Sequence, residues 1–237
     1  MPDEVQVWRV GLDVPHETSA GLCAWLTDEE RKRSAQLRFE RDRSRFIVAH
    51  GLLHELMARY LETRPDCIRF AYNVFGKPRL HARFGSRLEF NLSHSCGLAL
   101  IAIATGAAVG VDLEYVRAQP DCSDIAQLVF SAAELGYLMA LPSGLRTEAF
   151  FSCWTKKEAY LKARGEGLTI PPNSFSVPLT NDAEQMPIDF HLASNDVGAA
   201  KRWAMYSLNP ASGYIGALAI EGTGWRLRQR WLEMPSS

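Results

Sequence analysis

The 237-residue sequence contains no C-x-x-C pair, and its five cysteines are odd in number. A disulfide framework or a structural zinc site needs paired or clustered cysteines, so neither is predicted. Free thiols are typical of a reducing compartment, and we therefore expect this protein in the cytoplasm.

The sequence also lacks an excess of positive charge, because its formal net charge is −1 at pH 7. Nucleic acid is therefore not expected as a partner, and an anionic ligand must be held by a local cluster of cations. No apolar run reaches the ~18 residues that span a bilayer. The N-terminus, MPDEVQVWRV, starts acidic and has no long apolar core, so neither a signal peptide nor a membrane partner is expected.

The composition is that of a globular protein with a sizeable core. Hydrophobic residues make up 47% of the chain and charged residues 22%, which is ordinary for soluble domains. The length allows one large domain or two of about 120 residues. We expect a monomer.

Residues 109–114, VGVDLE, alternate between two faces, which predicts a β-strand. Residues two apart in a strand point the same way, so Asp112 and Glu114 present two carboxylates side by side. Such carboxylates repel each other unless a cation or a proton lies between them. An exposed strand face could also carry them at little cost.

Residues 151–168 predict a helix that ends at Gly165. Trp154, Glu158 and Lys162 are spaced i, i+4, i+8 and so lie on one face. One interpretation of this face is an ordinary surface ion pair between Glu158 and Lys162.

The other interpretation joins the helix to the strand. Glu158 would be a third oxygen donor beside Asp112 and Glu114. Three carboxylates without a cysteine or histidine set suit Mg²⁺, which prefers oxygen ligands and completes its coordination with water and phosphate.

The motifs around these residues resemble those of the 4′-phosphopantetheinyl transferases. The similarity is to the longer, surfactin-synthetase-activating type, in its W-x-x-K-E-A subgroup. The matching stretches lie in family order within residues 40–176. They are FGKP at 75–78, FNLSHS at 90–95, DLE at 112–114, WTKKEAYLK at 154–162 and the run 165–175.

This resemblance implies an α+β fold of two similar α/β halves in a pseudo-twofold arrangement. Each half is expected to have an antiparallel sheet and a long helix, with the active site in the cleft between them. Gly106 breaks the apolar pattern of the strand before it, and we place the boundary there. Residues 1–106 would then contact the phosphates of coenzyme A, and residues 107–237 would supply the carboxylates and the catalytic helix.

The resemblance also implies a reaction. The 4′-phosphopantetheine arm of coenzyme A, the co-substrate, would be transferred to a serine of an acyl, peptidyl or aryl carrier protein. The reaction would depend on Mg²⁺, or on Mn²⁺ in its place, and would release adenosine 3′,5′-bisphosphate. The subgroup resembles enzymes that serve nonribosomal peptide and polyketide synthesis.

Each candidate residue has an expected role in that reaction. Asp112, Glu114 and Glu158 would hold the metal. Glu158 would also be the base for the serine proton, and Lys162 would stabilise charge on the phosphates. The other expected coenzyme contacts are Arg45, Lys77, Ser93, His94 and Lys157. Arg33 or Arg43 could share the role of Arg45. Lys157 is expected as a phosphate contact or as a partner of the base.

Two other functions use the same residues. One is a metal-dependent phosphohydrolase or nuclease, in which water replaces the carrier serine. The other is a carrier-protein-binding module without catalytic activity. Retention of all three acids and Lys162 argues against a decayed enzyme.

The remaining pattern predicts further elements. A capping box at Thr27–Glu30 should start a helix, and His50 and His54 are expected to have a packing or surface role. Helices are predicted at 46–61, 125–141 and 147–163. Strands are predicted at 5–14, 68–72, 88–92, 97–105, 175–178, 189–193, 202–208, 214–220 and 225–231, the last three as one antiparallel sheet.

The predicted helix at 125–141 has an apolar face with two interpretations. It could dock the carrier protein in a helix-in-groove contact, or it could be part of the core. Its candidate residues are Leu128, Phe130, Leu135 and Leu138.

Overall fold

A computed structural model describes residues 3–117, 123–177, 179, 188–190 and 203–234. Its helices are α1 (His16–Cys23), α2 (Asp28–Ala35), α3 (Glu40–Tyr60), α4 (Ser123–Val129), α5 (Ala132–Ala140) and α6 (Ser143–Arg164). Its strands are β1 (Glu4–Gly11), β2 (Phe70–Tyr72), β3 (Pro78–Leu80), β4 (Leu88–Ser95), β5 (Leu98–Thr105), β6 (Val109–Tyr115), β7 (Ile188–Phe190), β8 (Trp203–Leu208), β9 (Tyr214–Glu221) and β10 (Arg226–Trp231).

Two four-stranded sheets organise the fold, in the orders β10-β1-β5-β4 and β6-β9-β8-β7. The apolar face of α3 packs on the outer side of the first sheet, and α6 packs on the second. The inner faces of the two sheets share a third cluster, which contains Val7, Leu100, Val111 and Leu218. The predicted α+β fold, with a sheet and a long helix in each half, is confirmed.

One predicted strand pairing is wrong. Residues 225–231 were expected to extend the sheet of β8 and β9, but β10 pairs in parallel with β1 of the other sheet. Gly222 and Gly224 have φ values of 95° and 80°, which turn the chain away from β9. The C-terminal part of the chain therefore contributes an edge strand to the N-terminal sheet. The antiparallel pairing predicted for 202–208 and 214–220 is confirmed, because β8 pairs with β9 in this way.

The predicted helix at 125–141 is two helices. Ser131 accepts a hydrogen bond from the backbone N–H of Glu134, whose carboxylate in turn accepts one from the N–H of Ser131. This capping box starts α5 and separates it from α4. The strand predicted at 175–178 is absent at 175–177, and residue 178 lies outside the described residues. Residues 191–193 of the strand predicted at 189–193 also lie outside the described residues.

The capping box predicted at Thr27 is confirmed. The Glu30 side chain is 1% exposed. Its carboxylate also contacts both histidines of α3. The Glu30 Oε2 atom lies 2.8 Å from His54 Nε2, and Oε1 lies 3.2 Å from His50 Nδ1. These partners hold the pKa of Glu30 far below its ordinary value, against its burial. The two histidines therefore tie α2 to α3, as a packing role requires.

None of the described helices is both long and apolar enough to cross a membrane.

Candidate active site

Strand β6 presents its two acids to helix α6. Val109, Val111 and Leu113 point into the core between the sheets, as the alternation predicts. Asp112 and Glu114 lie on the opposite face, next to Gly110. A Cβ at Gly110 would lie 2.1 Å from the carbonyl oxygen of Ala159, so only glycine lets the helix approach the strand this closely.

Three polar residues of β4 fix β6 in register. Asn91 Oδ1 accepts a hydrogen bond of 2.8 Å from the backbone N–H of Val111. The Ser93 hydroxyl donates to Asp112 Oδ1 at 3.0 Å, and the Ser95 hydroxyl donates to Glu114 Oε2 at 3.0 Å.

Sequence reasoning missed Asn91 and Ser95 as site residues. The signal was present, because N-x-S-x-S repeats with the period of a strand and so lines one face. The predicted role of this stretch was to contact phosphates, whereas its hydrogen bonds orient the carboxylates of β6.

The stripe predicted on the helix is the accessible face of α6. From Phe150 to Ala163, every residue is buried except Trp154, Glu158 and Lys162. Lys162 Nζ lies 2.5 Å from Asp112 Oδ1 and 3.1 Å from Ser93 Oγ. The interpretation of Lys162 as half of a surface ion pair with Glu158 is therefore wrong.

Two of the three acids, Glu114 and Glu158, have raised pKa values. Burial and the negative charge of Asp112 raise the pKa of Glu114. Burial, together with Asp112 and Glu114, raises the pKa of Glu158, although Lys162 opposes this. A bound cation would relieve the repulsion that raises the pKa values of Glu114 and Glu158.

The donor set also contains an orphaned atom. Asp112 Oδ2 is buried and has no hydrogen-bond partner, which is costly unless another group binds it. Among the described residues, no three His, Cys, Asp or Glu side chains are already arranged as a metal site. The Lys162 ammonium lies on the other oxygen of Asp112. The oxygen chemistry fits a divalent cation, with substrate and water completing its coordination.

Two further candidates lie on the N-terminal side of the site. Arg45 makes a two-pronged contact with Asp13, at 2.7 and 2.9 Å, which lowers the pKa of the Asp13 carboxyl. His94 is exposed at the end of β4. Partial desolvation and the positive charges of His50, Lys162 and Arg45 lower the pKa of His94. The same positive potential would attract a phosphate group.

The structure does not bring the Lys157 amino group to this site. Lys157 Nζ lies 2.7 Å from Glu134 Oε2 and donates to the carbonyl oxygens of Pro172 and Phe175 at 2.8 and 2.6 Å. The side chain is 3% exposed and points away from the stripe of Trp154, Glu158 and Lys162. Its three donors all have acceptors, and they connect α5 to the segment after α6.

Lys77 also differs from its expected position. It was expected to contact the coenzyme, but its ammonium is directed into the protein. Nζ donates to the carbonyl oxygens of Ala163 and Val109, at 2.8 and 3.1 Å. Burial lowers the pKa of Lys77 to about 8.

Two cavities form one groove beside the site. The larger, of about 300 Å³, is lined by Glu158, Lys162 and the loop before β3. The smaller, of about 170 Å³, is lined by Arg33, His50 and His94. Their walls share Gly76, Pro78 and Asn91. The groove thus leads from cationic and histidine side chains to the carboxylate site.

Comparisons with known proteins cover nearly the whole chain. The family "4′-phosphopantetheinyl transferase, N-terminal" matches residues 15–106, and the "4′-phosphopantetheinyl transferase superfamily" matches residues 108–214. The chain is 35% identical over 230 residues to the 4′-phosphopantetheinyl transferase HetI of Nostoc sp., covering 95% of this chain and 91% of that protein. It is 27% identical over 182 residues to the 4′-phosphopantetheinyl transferase Sfp of Bacillus subtilis, covering 76% of this chain and 79% of that protein.

Proposed function

The chain belongs to the 4′-phosphopantetheinyl transferase superfamily and is a transferase of this kind, and we propose that it transfers the 4′-phosphopantetheine arm of coenzyme A to a serine of an acyl, peptidyl or aryl carrier protein. The observation that carries the proposal is the convergence of Asp112, Lys162 and Glu158 at one end of the groove. The orphaned oxygen of Asp112 supports a cation there.

The phosphate end of coenzyme A is assigned to the N-terminal side of the groove. His94 and Arg33 line the smaller cavity of the groove and bind phosphate oxygens there. Arg45 lies beside this cavity, where its positive charge acts on His94, and binds phosphate oxygens from that side. Arg45 must exchange the carboxylate of Asp13 for a phosphate, which its guanidinium can bind in the same two-pronged manner. Until the coenzyme arrives, the contact with Asp13 keeps the Arg45 guanidinium oriented.

The acids at the other end prepare the transfer. Asp112, Glu114 and Glu158 would hold Mg²⁺ or Mn²⁺, which supplies charge neutralisation on the phosphate oxygens when bound. Ser93 and Ser95 orient two of these carboxylates through their hydroxyl groups.

Glu158 is our choice for the base that removes the proton of the carrier serine. Burial and the neighbouring acids raise its pKa, which makes it a better proton acceptor than an ordinary glutamate. The serine oxygen then forms a bond to the phosphorus that bears the pantetheine arm. The bond from that phosphorus to the bridging oxygen breaks, and adenosine 3′,5′-bisphosphate leaves.

Lys162 stabilises the charge that develops on the phosphates. Its ammonium is already fixed between Asp112 and Ser93, so little reorganisation is needed at the moment of reaction. The W-x-x-K-E-A sequence on α6 supports assignment to the surfactin-synthetase-activating type. Carriers of nonribosomal peptide or polyketide synthesis are the substrates that this assignment favours.

Mass spectrometry of an apo-carrier incubated with the protein, coenzyme A and Mg²⁺ tests the proposal. We expect the carrier to gain the mass of one phosphopantetheine arm at its serine. Excess EDTA should abolish the gain, and Mn²⁺ should restore it. Hydrolysis of coenzyme A without a carrier would indicate a phosphohydrolase, and carrier binding without transfer would indicate a binding module; either result would contradict the proposal.

A further inference from the structure

Lys77 joins three backbone segments around the carboxylate site. It lies in the loop that precedes β3, and its Nζ donates to the carbonyl oxygens of Ala163 and Val109 at 2.8 and 3.1 Å. Ala163 is in the last turn of α6, and Val109 is the first residue of β6. A single side chain from the loop thus contacts both the helix and the strand.

The loop that carries Lys77 is rigid by its own hydrogen bonds. Asn73 Oδ1 accepts from the backbone N–H groups of Phe75 and Lys77, both at 2.9 Å. Gly76 has a φ of 87°, which closes the turn. The Asn73 amide also donates to the carbonyl oxygen of Gly165 at 2.7 Å. Both ends of the loop are therefore attached to the end of α6.

These hydrogen bonds satisfy backbone carbonyl groups at the C-terminal end of helix α6. The last carbonyl groups of a helix have no partner within it and carry partial negative charge. Here the carbonyls of Ala163 and Gly165 are satisfied by Lys77 and Asn73. Gly165 has a φ of 65°, and a Cβ there would lie 2.6 Å from Lys77 Cδ. Glycine at this position therefore admits both the turn and the lysine.

The same contacts connect to the acids. Helix α6 lies directly on the backbone of β6 at Gly110, between the Val109 carbonyl and Asp112. A shift of α6 along β6 would move Glu158 and Lys162 relative to Asp112. Lys77 donates to both elements at the end of this contact, so it opposes such a shift.

We propose that Lys77 is a positioning residue, which fixes helix α6 on strand β6 and thereby sets the distance between Lys162, Glu158 and the acids of β6. This inference rests on the proposed transferase function and replaces the expectation that Lys77 binds phosphate. Its lowered pKa agrees with this role, because a neutral amine still offers two N–H donors to two carbonyls.

Lys77→Met tests the proposal, because methionine keeps an unbranched apolar stem and removes the donors. At 25 °C we expect kcat to fall roughly 10-fold, whereas the Kd for coenzyme A, measured by calorimetry without carrier, stays within about twofold. The melting temperature should fall by roughly 4 °C or more. Backbone amides in the last turn of α6 should lose hydrogen-exchange protection. Arg79→Met, which removes an exposed cation two residues away, is the matched control and should change none of these.

Each other outcome contradicts the proposal. A roughly 10-fold weaker Kd with an unchanged melting temperature would make Lys77 a phosphate contact. A lower melting temperature with unchanged kcat would make it a structural residue alone. Should Lys77→Met fail to fold, Gly165→Ala keeps the ammonium but displaces its stem, and the same pattern is expected.

The hydrogen-exchange result separates this proposal from the proposed function. If the wild-type protein transferred no arm, the transferase assignment would fail. Unchanged exchange at the end of α6 in a folded Lys77→Met variant would instead overturn the positioning role alone.

Discussion

Lys162 lies 2.5 Å from Asp112, a residue fifty positions earlier in the chain, although Glu158 is one helical turn away on α6. This contact joins helix α6 to strand β6. It leaves Glu158 facing the groove with a raised pKa. One oxygen of Asp112 is neutralised by the ammonium, and the other is left without a partner.

Ser95→Ala should weaken metal binding. The Ser95 hydroxyl donates to Glu114 and accepts from the backbone N–H of Tyr115, so it fixes the carboxylate that we assign to the metal. Loss of such an outer contact typically costs 10- to 100-fold in metal affinity. The measurement is the Mn²⁺ dissociation constant by electron paramagnetic resonance, with Ser95→Thr as the control that keeps the hydroxyl. An unchanged constant would show that Ser95 does not orient a metal ligand.

Arg45→Ala should raise the KM for coenzyme A by about 10-fold and leave kcat nearly unchanged. The reason is the loss of one charged contact of about 1.5 kcal/mol to a phosphate. Steady-state kinetics with coenzyme A varied at saturating carrier measures it, and Arg41→Ala, an exposed arginine of the same helix, is the control. If KM stayed constant while stability fell, the pair with Asp13 would be the whole role of Arg45.

The apolar face of the 123–140 region divides in two. Phe130 and Leu138 are buried, whereas Leu128 is 73% exposed. We therefore expect Leu128→Ala to raise the KM for the carrier by roughly fivefold or more without changing the melting temperature. Phe130→Ala should instead destabilise the fold by about 3–5 kcal/mol. Carrier titrations and thermal unfolding of both variants measure this, and an unchanged KM in Leu128→Ala would place docking elsewhere.

The stability of the wild-type protein should rise with pH through the titration of Lys77. Its folded pKa is about 8, against an ordinary value of 10.5. Between these values the unfolded chain holds a proton that the folded chain has released, so the free energy of unfolding increases with pH. The difference in unfolding free energy between wild type and Lys77→Met should therefore grow from pH 8 to 10.5, by up to about 1.4 kcal/mol per pKa unit. Urea unfolding at several pH values measures the difference, and a constant or shrinking value would contradict a buried, easily deprotonated amine.

Local pattern was enough to predict the strand and the helix that carry the site. The period of two in VGVDLE and the i, i+4, i+8 spacing on α6 identify faces, and both faces lie where the pattern places them. The split at Ser131 was also readable, because S-A-A-E is a capping box.

Contacts between residues that are distant in the sequence could not be predicted from local pattern. Nothing near Lys162 in the sequence selects Asp112 over Glu158, because the choice depends on how β6 packs under α6. Likewise, β10 pairs with β1 because of an open sheet edge that only the assembled fold provides. Lys157 could have been placed better: it is one residue before Glu158, about 100° around the helix, and so lies off the stripe that the site uses.

Turnover of Glu158→Gln tests the central claim most directly. The substitution removes the charge of the assigned base and metal ligand while keeping its shape. The assay is transfer of a labelled arm to an apo-carrier at saturating Mg²⁺ and coenzyme A, with Glu148→Gln, an exposed glutamate of the same helix, as the control. We expect kcat to fall by at least ~100-fold in Glu158→Gln, with stability unchanged or improved because one of three crowded acids is neutral. A kcat within about threefold of wild type would be too small a loss for the removal of a general base, and it would contradict the assignment of this site.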